Sequence, residues 1–447
     1  MDNSKNITQS NQNLSFCKTF IQKYWFAFLI LTELLFKYFL QQSIPLKAHV
    51  NNIHDHRMMV DIAENILKGS WLGDTYINRH LAKGCGYPLL TAVQNLLGLT
   101  LHQTAWILYS AGCLFMTFAL RPIVKNRFLQ FLIFTFLMLC PDYDMNLIDT
   151  YRFWVQGWQL LFIYSSVTAI FIRRNKLKSI LLWSIPGAFG TFFYWHSFEN
   201  SFWLILLYAA VAASIAVFSA ADREKLSCCL KKCAAILSPL VLIAVSIHII
   251  SLANYHKYGF YGTTIVSSSN FPNLIKAIYS VKPATDKYAL PIPVPQETMN
   301  RIFDASPTLQ KYQSDLAEHM DPWAIHGRFP DDNESEGGWF YWSILRYFEG
   351  KSFAEQDDIY RSAANESMLV AMNNGLWKNG SNINTNILLL RKTAKNAALL
   401  KKYKFFSPEN GKNIRILRTS DAGVYLQLHY EGKRLQPGSG RNRIFFK

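Results

Sequence analysis

The sequence predicts an α-helical polytopic membrane protein, with about seven transmembrane helices followed by a mainly α, non-cytoplasmic C-terminal domain. Three observations carry this. Of 447 residues, 50% are apolar and only 17% are charged, against about 25% charged in soluble domains. Mean hydropathy is nonetheless only +0.05, because long apolar runs crowd residues 24–253 while 254–447 are polar and Pro- and Asn-rich. Short basic stretches separate the runs. Together these exclude intrinsic disorder and a single soluble domain.

The elements follow in order. Residues 1–23 form a basic tail (Lys5, Lys18, Lys23), and apolar segments run over Tyr24 to Leu40, Gln103 to Leu120, Phe128 to Cys140, Trp154 to Ile172, Ile180 to Trp195, Phe202 to Ala220 and Cys233 to Leu252. With the tail in the cytoplasm, seven spans put the basic stretches Arg121 to Arg127, Arg173 to Lys178 and Arg223 to Lys232 there too, as the positive-inside rule requires. Loops 42–102, 141–153 and 195–201, and everything from 254 to 447, then lie on the opposite, non-cytoplasmic face. Glu33 and Lys37 interrupt the first segment, which reads as a retained anchor rather than a cleaved signal. Four apart in the favourable order, they can pair on one helix face, and they either mark function or pack inside the bundle.

In the long loop, Asp61 to Leu67 has an amphipathic pattern, Gly69 to Gly73 is a turn, and Tyr87 to Leu99 is an interfacial apolar segment. In the C-terminal half, helices are expected at Asn270 to Tyr279 and Thr308 to His319, either side of the rigid Pro291 to Pro295 stretch. An aromatic helix, Trp339 to Phe348, follows Gly337-Gly338, then an amphipathic helix, Ala354 to Leu376. Ile414 to Tyr430 reads as a strand pair.

Lys and Arg (46) outnumber Asp and Glu (30), a net charge of +16. Much of the excess is the topology signal, and no nucleic-acid recognition motif accompanies it. The partner it implies is the lipid bilayer. The rest, at Lys395 to Lys404 and Lys433 to Arg443, can meet anionic head groups or an acidic glycan. All seven cysteines precede residue 254 and none forms a CxxC pair, so neither a zinc knuckle nor a redox motif is indicated.

The topology gathers carboxylates at one boundary: Asp55 in His54-Asp55-His56-Arg57, Asp142, Asp144 and Asp149 in the next outer loop, and Glu199 in Trp195-His-Ser-Phe-Glu199. A partly desolvated carboxylate is a better base, which makes Asp55 and Glu199 the catalytic candidates. Alternatively Asp55, Asp142 and Asp144 together hold a divalent cation. Any one of the acids can equally be a solvated loop residue. His54 and His56 are possible substrate or metal contacts, although their i, i+2 spacing points them apart unless the backbone is extended. Lys83, in Lys83-Gly84-Cys85-Gly86-Tyr87-Pro88, can hold a phosphate, with two glycines allowing close backbone approach, or can snorkel beside an interfacial helix. Arg79 and Arg152 are further outer cations.

Ala63-Glu-Asn-Ile-Leu-Lys-Gly-Ser-Trp-Leu-Gly73 and Lys83-Gly-Cys-Gly-Tyr-Pro-Leu-Leu90, behind a first span and a short acidic motif, resemble the type C glycosyltransferase superfamily of polytopic membrane proteins. The likeness is closest to a bacterial branch with similar motifs, a Glu-containing turn between later spans and a Gly-Gly-Trp-Phe segment, here Gly337 to Phe340. It covers about residues 24–375. It implies a transferase that moves a sugar from a polyprenyl-phosphate carrier to an envelope acceptor, with Asp55 as base or metal ligand. Where the superfamily often has two adjacent acids, this chain has Asp55 followed by His56. The alternative function is a non-catalytic envelope-assembly scaffold or a transporter.

Overall fold

A computed structural model describes residues 24–47, 55–74, 78–282, 294–316 and 337–373. The first helix, α1, covers residues 24–42. Through the long loop 42–102 and the bundle follow α2 (His56–Leu67), α3 (Asn78–Ala82), α4 (Gly86–Leu96), α5 (Leu101–Leu120), α6 (Arg127–Met138), α7 (Pro141–Ile148), α8 (Phe153–Ile172), α9 (Leu177–Ser197), α10 (Trp203–Ala221) and α11 (Leu226–Tyr258). Beyond them lie α12 (Ile265–Ser268), α13 (Phe271–Tyr279), α14 (Gln296–Ala305), α15 (Pro307–Gln310), α16 (313–316), α17 (Gly337–Tyr347) and α18 (Phe353–Asn373). Residues 54 and 374–447, with the expected strand pair and the two C-terminal basic runs, lie outside the described residues.

Five helical stretches are long and apolar enough to cross a membrane: Leu101–Leu120, Arg127–Ile148, Phe153–Ile172, Trp203–Ala221 and Leu226–Tyr258. Seven were expected. The other two, α1 and α9, are helical over similar lengths but are not among the five.

The bundle is centred on α8, which packs against α5 and α9; α9 packs on α11, and α11 on α10. Large apolar side chains face outward, among them Phe28, Phe39, Phe136, Leu206 and Val241, whereas Gln159, Ser165, Ser166 and Thr191 are fully buried. That inversion suits a chain whose solvent is hydrocarbon, where polar groups must find partners inside. Pro239 within α11 cannot donate to the Ala235 carbonyl one turn earlier. Ser184 of α9 donates to that carbonyl at 2.9 Å instead. Beside Pro186 of α9, Ser166 of α8 donates to the Trp183 carbonyl at 2.6 Å. The approach is possible because residue 187 is glycine: a Cβ there would lie 2.3 Å from Ser166 Oγ.

Three sequence expectations are corrected. The segment ending at Cys140 does not open into a loop; Pro141 starts α7, so Asp142 and Asp144 occupy a helical first turn. Proline is pre-organised for that position and the helix dipole favours acids beside it. The amphipathic helix expected from Asp61 begins earlier, at His56. The helix expected at Thr308 to His319 is broken into α15 and α16.

Candidate functional site

Asp55 occupies the N-cap of α2 but makes no capping hydrogen bond to its own helix. Its carboxylate instead pairs with Lys83, which follows α3 directly. The Lys83 Nζ also donates to the Tyr151 hydroxyl at 2.6 Å and lies 4.9 Å from the Tyr151 ring and 5.5 Å from that of Trp342 on α17. Burial holds the lysine below its ordinary pKa, against the opposing pull of Asp55. Burial likewise raises the Tyr151 phenol well above its usual value, so it remains a protonated donor.

Lys83 reaches this position because the next residues have no side-chain bulk. A Cβ on Gly84 would sit 2.0 Å from the His196 carbonyl oxygen, and one on Gly86 would sit 2.7 Å from Ser197 Oγ. The loop is thus pressed on the C-terminal end of α9, and Glu199 lies just beyond that end.

Arg152, at the N-cap of α8, grips Glu199 through both terminal guanidinium nitrogens, at 2.7 and 3.0 Å, and donates to the Ser197 carbonyl at 2.6 Å. This fork geometry is the strong form of a charge pair. Burial draws the guanidinium's pKa down, but Glu199 and Tyr151 more than compensate and hold it above its ordinary value. In both pairs the cation is enclosed and the acid reachable: Lys83 and Arg152 side chains are 9% and 11% exposed, Asp55 and Glu199 36% and 33%.

His56 brings in a third acid. Its Nε2 lies 3.1 Å from Asp149, its Nδ1 3.4 Å from the Thr150 hydroxyl, and its ring 5.4 Å from that of Tyr151. Lys47 pairs with the same segment, its N–H donating to the Ile148 carbonyl at 2.8 Å. Asp55, Lys83, Tyr151, Arg152, Glu199, His56 and Asp149 therefore form one polar cluster. It adjoins a cavity of about 290 Å³ lined by Gly84, Cys85, Glu199, Phe198, Thr263 and Thr264, among others.

Other sequence candidates lie elsewhere. Asp144 pairs with Lys37 of α1 at 2.7 Å and accepts from Gln41 at 3.3 Å. Lys37 stands where it can pair with Glu33 on its own helix, and the carboxylate it bonds belongs to α7. Asp142 accepts from Asn146 at 3.3 Å and lines a separate cavity of about 170 Å³. The divalent-cation set expected from Asp55, Asp142 and Asp144 is thus not assembled, and among the described residues no three His, Cys, Asp or Glu side chains group as ligands. Arg79 belongs to α3, and only its backbone is described. His54 lies outside the described residues.

The sequence reading missed Tyr151, the hub between the two ion pairs, and Trp342. Tyr151 stands beside Arg152 at the start of a span, a signal that was available. Trp342 sat in a helix read only as aromatic. Comparison of the chain with family models, with curated proteins and with solved structures finds no match.

Proposed function

We propose that this chain is a membrane glycosyltransferase moving a sugar from a polyprenyl-phosphate carrier to an envelope acceptor on the outer face of a bacterial inner membrane. One observation carries the reading: two buried cations, Lys83 and Arg152, each hold a partly exposed carboxylate, Asp55 and Glu199, in one polar cluster whose Glu199 lines a cavity. Transfer to a hydroxyl needs a base for its proton and positive charge for the departing phosphate. Asp55 takes the acceptor proton as the acceptor oxygen bonds to the sugar carbon. The bond from that carbon to the phosphate oxygen breaks, and the phosphate leaves with the electron pair, neutralised by Lys83 and Arg152. Glu199 orients the guanidinium and the substrate hydroxyls.

The reading includes seven spans, with α1 and α9 counted among them, a cytoplasmic N-terminus and a periplasmic C-terminal half. A reporter enzyme fused after Lys447 is then active only outside the cytoplasm; activity inside refutes the odd number of spans. The resemblance to type C glycosyltransferases supports the donor class. A non-catalytic assembly scaffold is the second reading, favoured by the pairing of all three site carboxylates with basic side chains. Asp55→Asn separates the two. Loss of the cell-surface glycan at normal protein level supports transfer, and an unchanged glycan removes Asp55 from the chemistry.

A further inference from the structure

The 33 residues of α11 make a rod about 50 Å long, against a hydrocarbon core of about 30 Å. The rod is thus longer than the core is thick, and its polar last turns, from Asn254 to Tyr258, hold the loop that ends at Gly73. Trp71 donates its indole N–H to Asn254 Oδ1 at 2.7 Å, and Asn254 Nδ2 donates to the Gly262 carbonyl at 2.6 Å. An indole nitrogen can only donate and a carbonyl can only accept, so both ends of the amide are assigned without ambiguity. Asn254 is fully buried. One turn further, the Tyr258 hydroxyl donates to the Gly73 carbonyl at 2.7 Å.

Trp71 has φ +57°, a left-handed conformation that only glycine adopts freely. Such a backbone persists where its surroundings over-determine it. Here the indole is tied to α11, and the Leu72 carbonyl accepts from Asn65 Nδ2 at 3.2 Å. Directly after Gly262 come Thr263, Thr264 and Ser267, which line one side of the 290 Å³ cavity, with Gly84 and Cys85 among its other lining residues. We infer that Asn254 and Trp71 are positioning residues: a single buried amide fixes the 262–267 wall of the cavity against the first outer loop and so holds the cavity's shape. The inference rests on this cavity being the substrate site of the reading above, but its test does not depend on transfer.

Cys85 reports on the cavity from within. It is 4% exposed, and burial pushes its thiol up to about 12, so alkylation in the parent chain is slow. In the full chain reconstituted in vesicles, maleimide labelling is followed at each cysteine by peptide mapping. Asn254→Leu and Trp71→Phe should speed labelling of Cys85 about tenfold, because each leaves a buried polar group without its partner. Cys140, in the other cavity, should label at its parental rate. A Cys85 rate within about twofold of the parent in both variants overturns the inference, as does a parallel rise at Cys140, which marks general loosening. If Asn254→Leu opens Cys85 while Asp55→Asn leaves the glycan intact, the positioning role stands and the transferase reading falls.

Discussion

Lys37 and Lys83 are both buried lysines held by a carboxylate, and their surroundings assign them different work. Lys37 is fully enclosed, its partner Asp144 is 18% exposed, and Gln41 completes the contact. That pair ties α1 to α7. Lys83 faces a twice more exposed acid, two aromatic rings and a second, bidentate pair, in a chain segment that lines a cavity. A buried ion pair by itself is weak evidence of stabilisation or of function. Residual exposure of the acid, 36% at Asp55 against 18% at Asp144, separates a pair that can meet a substrate from one that only joins helices.

The sharpest way to break this contrast is to replace each pair by apolar residues of similar size. Lys83→Met with Asp55→Leu should lower glycan transfer by about 10² to 10⁴-fold, the contribution of a positioned acid or base. Lys37→Met with Asp144→Leu should leave transfer near the parental level, since a packed apolar replacement of a buried pair is often neutral. Equal loss in both double variants erases the distinction. The single Lys37→Met change leaves Asp144 without its cation and should cost about 3 kcal/mol of stability, read by thermal unfolding in detergent and recovered in the double variant.

Gly84→Ala sharpens the comparison at the backbone. Its Cβ would meet the His196 carbonyl at 2.0 Å, so the loop must shift, at about 2 kcal/mol. Glycan transfer should fall with it, because Lys83 and α9 move apart. The same change at Gly98, where nothing lies within 4 Å, should meet only the penalty of a positive φ, about 1 kcal/mol.

The smallest expected effect is on pH. The unfolded chain binds the Lys83 proton more tightly than the folded one, so stability should rise with pH between the lowered folded value and the ordinary 10.5. Binding of inorganic phosphate at Lys83 runs the other way, weakening as pH climbs through the lowered value. In Lys83→Arg, where the guanidinium stays charged, that weakening should disappear from a titration followed by calorimetry.

The apolar segments, the basic punctuation and the glycines of Lys83 to Gly86 were legible because each is a local property of composition or spacing. Asp55, Glu199, Lys83, Arg152 and His56 were named from their place at one boundary, and the fold gathers them into one cluster. The sequence misled at Asp142 and Asp144, which were read as loop acids, because Pro141 renews a helix where the apolar run ends. It misled again at Lys37: Glu33 is the right distance along the helix, but α7 presents a better placed carboxylate.

Hydropathy alone determined that this chain is a helical membrane protein, since the bilayer acts on each segment independently. Only the tertiary structure decided which acid meets which base, because that depends on which helices are neighbours. Asp144 lies 107 residues from Lys37 and Glu199 lies 47 from Arg152. No periodicity reaches that far, and the packing of α8 against α5 and α9, with the Gly84 loop wedged on the end of α9, supplies what periodicity lacks.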